Sequence, residues 1–220
     1  MEDETELEIR HLQGNEEWDK DRLGKFTASG SYNLLQNSKC KKGKFSKGFE
    51  TYLLLKAAER ISGGKREVKS APMDWGNEME PEALIEYQKK TGRDPVENGF
   101  IPLKGYEDWA GGSPDGLVGE DGMVEVKCPF VSANHLDTVL SGDIPKKSKK
   151  RYYAQMQFNL WVTGRAWCDY VSFDPRVIGN EIFIMRVPRD VKYIKELEKR
   201  LKLAIKEYKK LLAKLEGGSK

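Results

Sequence analysis

With 220 residues, the chain is long enough for one domain with a full hydrophobic core, and we expect residues 1–220 to form a single domain. Charged residues make up 33% of the chain, and no apolar run reaches the roughly 18 residues that span a membrane. The three cysteines (Cys40, Cys128 and Cys168) lie far apart without a CxxC pair, which argues against a zinc knuckle, an iron–sulfur cluster or a disulfide framework. The acidic N-terminus does not resemble a signal peptide, so the sequence predicts a cytoplasmic protein without a membrane anchor.

The net charge of +3 hides an uneven distribution of charge along the chain. Residues 1–21 are strongly acidic, whereas Lys39–Lys47 (KCKKGKFSK) and Lys146–Arg151 (KKSKKR) are basic clusters. Clusters of this kind can follow the phosphates of a nucleic acid, and they also occur as solvated surface loops. The sequence alone leaves both interpretations open.

The first part of the chain predicts one short helix. Residues 1–17 contain little apolar material, and we expect them to be loosely ordered. Thr27 and Ser29 are good N-cap residues for a helix that carries Tyr32 and Leu34. The N-terminus of such a helix beside Arg22 would bind a phosphate, although ordinary capping next to a surface arginine has the same pattern.

Two longer helices are predicted next. The first runs from Ser46 to Ile61 and stops at a pair of glycines, and the second ends near Gly92. Three acidic residues stand near the start of the second helix: Glu78, Glu80 and Glu82. Acidic residues in a first turn complement the helix dipole, but a metal ligand could also come from this place.

The second half of the chain predicts a sheet with further helices. The expected strands are 98–103, 109–110, 123–127, 167–173 and 181–187, and the expected helices are 134–140, 152–164 and 190–216. The last of these is expected to be a packing helix, either on its own domain or against a neighbouring subunit. In the helix that begins at Tyr152, Gln155 lies on the same side as Tyr152 and Arg151. That polar face indicates a site, although a buried hydrogen-bonded glutamine would look the same.

The segment Gly111–Pro129 contains the candidate catalytic residues. Asp115 stands in Ser-Pro-Asp-Gly, which favours a tight turn, and Glu120-Asp121-Gly122 predicts a hairpin turn. In the strand that follows, Glu125 and Lys127 project from the same face because side chains alternate with a period of two. The returning hairpin can therefore bring Asp115 beside Glu125.

Two neighbouring carboxylates repel each other, and a divalent cation relieves the repulsion. Oxygen ligands without soft donors suit Mg²⁺ or Mn²⁺, which can activate water and neutralise a phosphoryl group. Pro114-Asp115 and Glu125-Val126-Lys127 match the PD-x(n)-(D/E)xK pattern of a large nuclease superfamily. On this short pattern alone, an exposed hairpin with a salt bridge is an equal alternative.

Five segments in order strengthen the pattern: Arg22–Ser29 (RLGKFTAS), Trp75-Gly76 with Glu80, Ser113–Gly116 (SPDG), Glu125–Pro129 (EVKCP), and Tyr152–Gln157 (YYAQMQ) followed by Trp161-Val-Thr. With these segments the chain resembles the lambda-exonuclease-type (YqaJ-like) viral recombinases, the alkaline exonucleases of phages. The resemblance covers most of residues 18–175. It implies an α/β fold of the three-layer, restriction-endonuclease-like kind, with a central mixed sheet flanked by helices.

The resemblance also implies an activity and its residues. The activity is Mg²⁺-dependent 5′→3′ digestion of one strand of linear double-stranded DNA, which leaves 3′ overhangs for recombination. It implies two metal ions, with Mn²⁺ as a substitute, held by Asp115, Glu125, Glu80 and the Val126 carbonyl. Lys127 would help to activate water, with Gln155 and Tyr152 positioning the water and the lysine. The terminal 5′ phosphate would be bound by Arg22, Ser29 and Lys39.

The implied partners are double-stranded DNA ends, two further copies of the chain in a ring-shaped trimer, and a single-strand annealing protein, in a phage or prophage setting. Two rival functions remain. A restriction or repair endonuclease would not require the Arg22–Ser29 anchor for a terminal phosphate. A non-catalytic DNA-binding relative would be expected to lose part of the Asp115, Glu125 and Lys127 set, which is intact here.

Overall fold

The computed structural model describes residues 14–35, 45–64 and 70–217. Its helices are α1 (Glu16–Arg22), α2 (Lys47–Ser62), α3 (Ala71–Thr91), α4 (Ser132–Ser141), α5 (Lys146–Thr163) and α6 (Val191–Gly217), with a 3₁₀ helix at Ala28–Leu34. Its strands are β1 (Phe26–Thr27), β2 (Pro95–Val96), β3 (Ile101–Pro102), β4 (Ala110–Gly112), β5 (Gly116–Val118), β6 (Gly122–Lys127), β7 (Trp167–Phe173) and β8 (Ile182–Pro188). No helix within these ranges is long and apolar enough to cross a membrane.

A five-stranded mixed sheet forms the centre, in the order β2-β5-β6-β7-β8. Strands β6 and β7 run parallel, and the other neighbours are antiparallel. Apolar residues of α3 pack on one face of this sheet and those of α5 on the other. A second sheet of three short strands, β1-β4-β3, contributes to the core under α2 and α6. The predicted fold class, a mixed α/β fold with helices flanking the sheet, is confirmed.

The pairing of β6 with β7 determines the face of the sheet from which Glu125 and Lys127 project. Glu125 lies opposite Tyr170, and Lys127 lies opposite Ser172. The alternate residue Val124 belongs to the cluster that packs on α3. Because side chains alternate along a strand, Glu125 and Lys127 project towards α5. Glu125 is 0% exposed, so its carboxylate needs partners inside the protein.

A hydrogen-bonded network around the buried carboxylate of Asp169 fixes α3 on the sheet, with Arg186 half-exposed at its edge. Asp169 of β7 is buried and accepts hydrogen bonds from Arg186 Nε at 2.9 Å and from the Tyr87 hydroxyl at 2.8 Å. Removal of one partner from such a network would leave a buried charge without compensation. Tyr87 lies about two turns after Glu80 in the same helix, so the network also holds the part of α3 that faces the site.

Several predicted boundaries are confirmed. The Ser46 hydroxyl accepts a hydrogen bond from the Phe49 amide and caps α2, and Gly63 and Gly92 end α2 and α3 with positive φ angles of 65° and 68°. The strand at 167–173 is observed with the predicted ends. The C-terminal helix packs on its own domain through buried residues: Ile194, Leu197, Leu201, Ile205 and Tyr208.

Some local predictions differ from the structure: the helix expected from Tyr152 begins at Lys146, and the strand expected at 98–103 is reduced to Ile101–Pro102. Glu16 and Glu17 are helical, because the Asn15 side chain accepts a hydrogen bond from the Trp18 amide and starts α1; residues 1–13 lie outside the described ranges. Residues 28–34 form a 3₁₀ helix, and the Thr27 side chain makes no cap hydrogen bond. Thr27 instead belongs to β1, and its amide donates to the Tyr52 hydroxyl at 3.3 Å.

Candidate functional site

The turn between β4 and β5 places Asp115 against the end of β6. Asp115 Oδ2 accepts a hydrogen bond from the Val126 amide at 2.6 Å, and Gly116 pairs with Val124 in the antiparallel ladder. Lys127 Nζ forms an ion pair with Glu125 Oε1 and donates to the Val126 carbonyl at 2.9 Å. The structure therefore brings together the three residues that the sequence pattern selected.

Helix α5 covers this group with one polar face. Tyr152, Gln155 and Asn159 follow each other at three- and four-residue spacing, so they lie on the same side of the helix. Gln155 Nε2 donates to Glu125 Oε1, and Asn159 Nδ2 donates to Glu125 Oε2 at 3.2 Å. The centre of the Tyr152 ring lies 5.5 Å from Lys127 Nζ. Both oxygens of the buried carboxylate therefore have amide donors.

Glu80 reaches the same place from α3. It lines one cleft with Asp115 and a larger cleft with Lys127 and Gln155. Burial raises the pKa values of Glu80 and Glu125, and the charge of Asp115 raises both further. Burial alone would lower the pKa of Lys127, but the charges of Glu125 and Asp115 outweigh it and raise that pKa. The site thus concentrates negative charge around one ammonium group.

The donor chemistry of this group fits a hard divalent cation. The four oxygen donors are the carboxylates of Asp115, Glu125 and Glu80 and the Val126 carbonyl, a set that suits Mg²⁺ or Mn²⁺. Within residues 14–35, 45–64 and 70–217, no three His, Cys, Asp or Glu side chains stand in a ready-made metal cluster. The carboxylates of Asp115 and Glu125 are instead hydrogen-bonded to the Val126 amide, Lys127 and the α5 amides.

A second pocket opens beside these carboxylates. It contains Arg22, whose guanidinium stacks on the Trp18 ring at 3.8 Å, together with Thr27 and Ser29. Burial lowers the pKa of Arg22, but a guanidinium stays charged over the whole physiological range. The Trp18 indole donates to the Ser113 hydroxyl at 2.9 Å, which fixes α1 next to the Asp115 turn.

The two parts of the site are continuous. One narrow cleft is lined by residues from both parts: Trp18, Arg22, Thr27, Ser29, Ser113, Asp115 and Gln155. The structure therefore places Arg22 and the hydroxyls of Thr27 and Ser29 next to the acidic centre, in a pocket that Asp19 and Glu59 also line. Lys39, the third residue predicted for phosphate binding, lies outside the described ranges.

Sequence reasoning missed three residues of this site: Trp18, Ser113 and Asn159. The four-residue spacing from Gln155 could have identified Asn159, because it continues the polar face of α5. Ser113 directly precedes the Pro-Asp motif. Trp18 carried no local signal, since its role depends on a contact with Ser113 across 95 residues.

The basic cluster Lys146–Arg151 forms the first turns of α5 at the edge of the larger cleft, which Arg151 lines. Lys146, Lys147, Lys149 and Lys150 are exposed. Positive charges at a helix N-terminus oppose the helix dipole, so they do not stabilise this helix end. Their position suits contact with an anion, and one of them, Lys149, also pairs with Asp143. Residues 39–44 of the other cluster lie outside the described ranges.

The chain is similar to exonucleases of known structure. The chain is 32% identical to an alkaline exonuclease from Laribacter hongkongensis (LHK-Exo), with a TM-score of 0.82 over 93% of this chain and 98% of that one. The same enzyme in complex with dAMP gives 33% identity and a TM-score of 0.82, again over 93% and 98%. A phage-related exonuclease from Haemophilus somnus 129PT, at 19% identity and a TM-score of 0.66 over 87% and 96%, shares the fold.

No curated protein is similar enough in sequence to match the chain. The family comparison covers more than half of it, because residues 17–166 match the YqaJ-like viral recombinase domain. The matched range contains the predicted acidic centre, the lysine, the polar face of α5 and the Arg22 pocket. The chain therefore belongs to the family of YqaJ-like viral recombinases.

Proposed function

We propose that this protein is a metal-dependent DNA exonuclease that digests one strand of linear double-stranded DNA from its 5′ end and leaves 3′ overhangs for phage-type recombination. The observation that carries the proposal is the single cleft shared by Arg22, Ser29, Asp115 and Gln155. An anion pocket next to an acidic centre suits an enzyme that measures its cleavage site from a terminal phosphate. The similarity to LHK-Exo supports the same reaction class.

The metal would be held by this chain's oxygen donors. We propose Asp115, Glu125, Glu80 and the Val126 carbonyl as ligands of Mg²⁺, with two ions per site and Mn²⁺ as a substitute. When bound, the metal supplies a Lewis acid that lowers the pKa of water and neutralises charge on the scissile phosphate.

The remaining roles belong to side chains of the cleft. Lys127, held as an ammonium between Glu125 and the Val126 carbonyl, would donate a hydrogen bond to the attacking water or to a phosphate oxygen. Gln155 contacts Glu125 and lines both the larger and the narrow cleft, so it would position the water. Tyr152, whose ring centre lies 5.5 Å from Lys127 Nζ, would position the lysine. Arg22, with Ser29 and Lys39, would bind the 5′ phosphate.

Two partners are proposed on the family resemblance, beside the DNA end itself. We expect the chain to assemble as a trimer around DNA and to work with a single-strand annealing protein. The trimer would be consistent with a nuclease that stays on one duplex.

The test compares linear with closed-circular duplex DNA, each incubated with Mg²⁺ or with a chelator. We expect loss of linear DNA only, and only with Mg²⁺, with single-stranded 3′ ends accumulating. Cleavage of the circular substrate would favour the endonuclease alternative. Binding without cleavage under every metal condition would favour the non-catalytic relative.

The α5 cluster gives a prediction about DNA affinity. Replacing Lys147 and Lys150 with glutamine is expected to weaken DNA binding equally for all sequences, because phosphate contacts carry no sequence information. The slope of log affinity against log salt should fall by about one unit for each lost phosphate contact. The measurement is fluorescence anisotropy between low and moderate salt.

The matched control replaces Lys89 and Lys90, two exposed lysines at the C-terminal end of α3, with glutamine. The control pair removes the same charge away from the cleft and should leave the salt slope unchanged. Equal salt slopes for the two double variants would show that the α5 cluster is a solvated helix end that does not contact DNA.

A further inference from the structure

Asn159 is a fully buried amide that contacts the acidic centre. Its side chain is 0% exposed, and its Nδ2 donates to Glu125 Oε2 at 3.2 Å. Its Oδ1 has no hydrogen-bond partner in the part of the chain that the structure describes. Burial of an amide with an unpaired oxygen costs free energy, so packing alone would favour an apolar residue of the same shape at this position.

The contact complements that of Gln155. Gln155 donates to Oε1 of Glu125, and Asn159, one helical turn later, donates to Oε2. The terminal torsion of a glutamate side chain is soft, so the carboxylate plane must be fixed from outside. Two amide donors from successive turns of α5 fix both of its oxygens. Since a carboxylate only accepts, the amide nitrogen of Asn159 must face it.

Strand β4 leaves space for this side chain. A Cβ atom at Gly112 would lie 2.2 Å from Asn159 Oδ1, closer than any normal contact. Gly112 does not have a positive φ angle, so the glycine is required here for space rather than for backbone conformation. The chain therefore has both the buried amide of Asn159 and, at Gly112, a residue without a side chain that leaves space for it.

We propose that Asn159 is a positioning residue, which orients the Glu125 carboxylate for metal binding and depends on Gly112 for its own position. The proposal deepens the proposed function and rests on it. Outer hydrogen-bond partners of metal ligands commonly change metal affinity by about 10- to 100-fold when they are removed. Asn159 acts through Glu125 and is not expected to contact DNA.

The first test is Asn159→Leu, which keeps the shape of the side chain and removes the donor. Calorimetric titration with Mn²⁺ should show about 10- to 100-fold weaker binding. The Mg²⁺ concentration for half-maximal digestion should rise accordingly, with an unchanged KM for DNA. The matched control is Gln157→Met in the same helix, because buried Gln157 contacts the Pro188 carbonyl and the Asp190 amide instead. The control is expected to lower thermal stability and to keep Mn²⁺ affinity.

The second test does not alter the amide. Gly112→Ala should displace Asn159 and weaken Mn²⁺ binding, whereas the same change in an Asn159→Ala background should add nothing, because the obstructing oxygen is gone. If Asn159→Leu does not fold, this double-mutant cycle still tests whether Asn159 positions Glu125. Wild-type Mn²⁺ affinity in folded Asn159→Leu, or additive effects in the cycle, would overturn the proposal. Wild-type protein that digests no DNA would instead overturn the proposed function, whatever the variants do.

Discussion

Asp115→Asn is expected to abolish DNA cleavage and leave DNA binding intact. The substitution removes a negative charge from the acidic centre, and loss of one electrostatic group from a catalytic site typically costs about 10²–10³-fold in rate or more. The fold should survive, because an asparagine oxygen can still accept the hydrogen bond that the Val126 amide gives to Asp115. DNA affinity should survive as well, since it depends on the basic surface.

Glu125→Gln should be equally inactive but less stable. Glu125 is fully buried and paired with Lys127, so a neutral side chain would leave the ammonium without its charge partner. Three assays measure the effects separately: digestion of linear duplex for cleavage, anisotropy with labelled DNA for DNA binding, and calorimetry with Mg²⁺ for metal binding. Unchanged Mg²⁺ binding in Asp115→Asn would refute the assignment of Asp115 as a ligand. A near-normal cleavage rate would refute the nuclease proposal itself.

The parts of the site that the sequence predicted depend on local rules. Glu125 and Lys127 share a face because strand side chains alternate, and Asp115 returns to them because the hairpin between β5 and β6 is short. The polar face with Tyr152 and Gln155 follows from helical spacing. Helix ends at Gly63 and Gly92 follow from the left-handed conformation that glycine adopts easily.

The parts that the sequence did not predict depend on contacts between distant segments. Strands β1 and β2 have two residues each and exist only through their partners β4 and β5. Thr27 stands at the N-cap position of the 3₁₀ helix, but its hydroxyl lies 3.3 Å from the Ser29 hydroxyl and accepts no cap hydrogen bond. The space for Asn159 beside Gly112 likewise appears only when α5 packs against β4.

Digestion of a 5′-phosphorylated duplex is expected to be faster than digestion of a 5′-hydroxyl duplex, and Arg22→Ala should erase most of that difference. Arg22 supplies a permanent charge and a bidentate fork, which its stacking on Trp18 holds in place. A charge-assisted hydrogen bond of this kind contributes roughly 1.5–3 kcal/mol, or about one to two orders of magnitude in rate. Arg22→Lys should restore little, because an ammonium lacks the planar fork.

The comparison of initial rates on the two end chemistries needs a control that weakens DNA contacts in general. Arg151→Ala serves this purpose, because exposed Arg151 lines the larger cleft but not the Arg22 pocket. It should lower both rates by the same factor and keep the preference for the phosphate, whereas Arg22→Ala should lower mainly the rate on the phosphorylated end. Equal wild-type rates on the two ends would refute the pocket, and with cleavage of closed-circular DNA they would favour an endonuclease, since internal cleavage uses no terminal anchor.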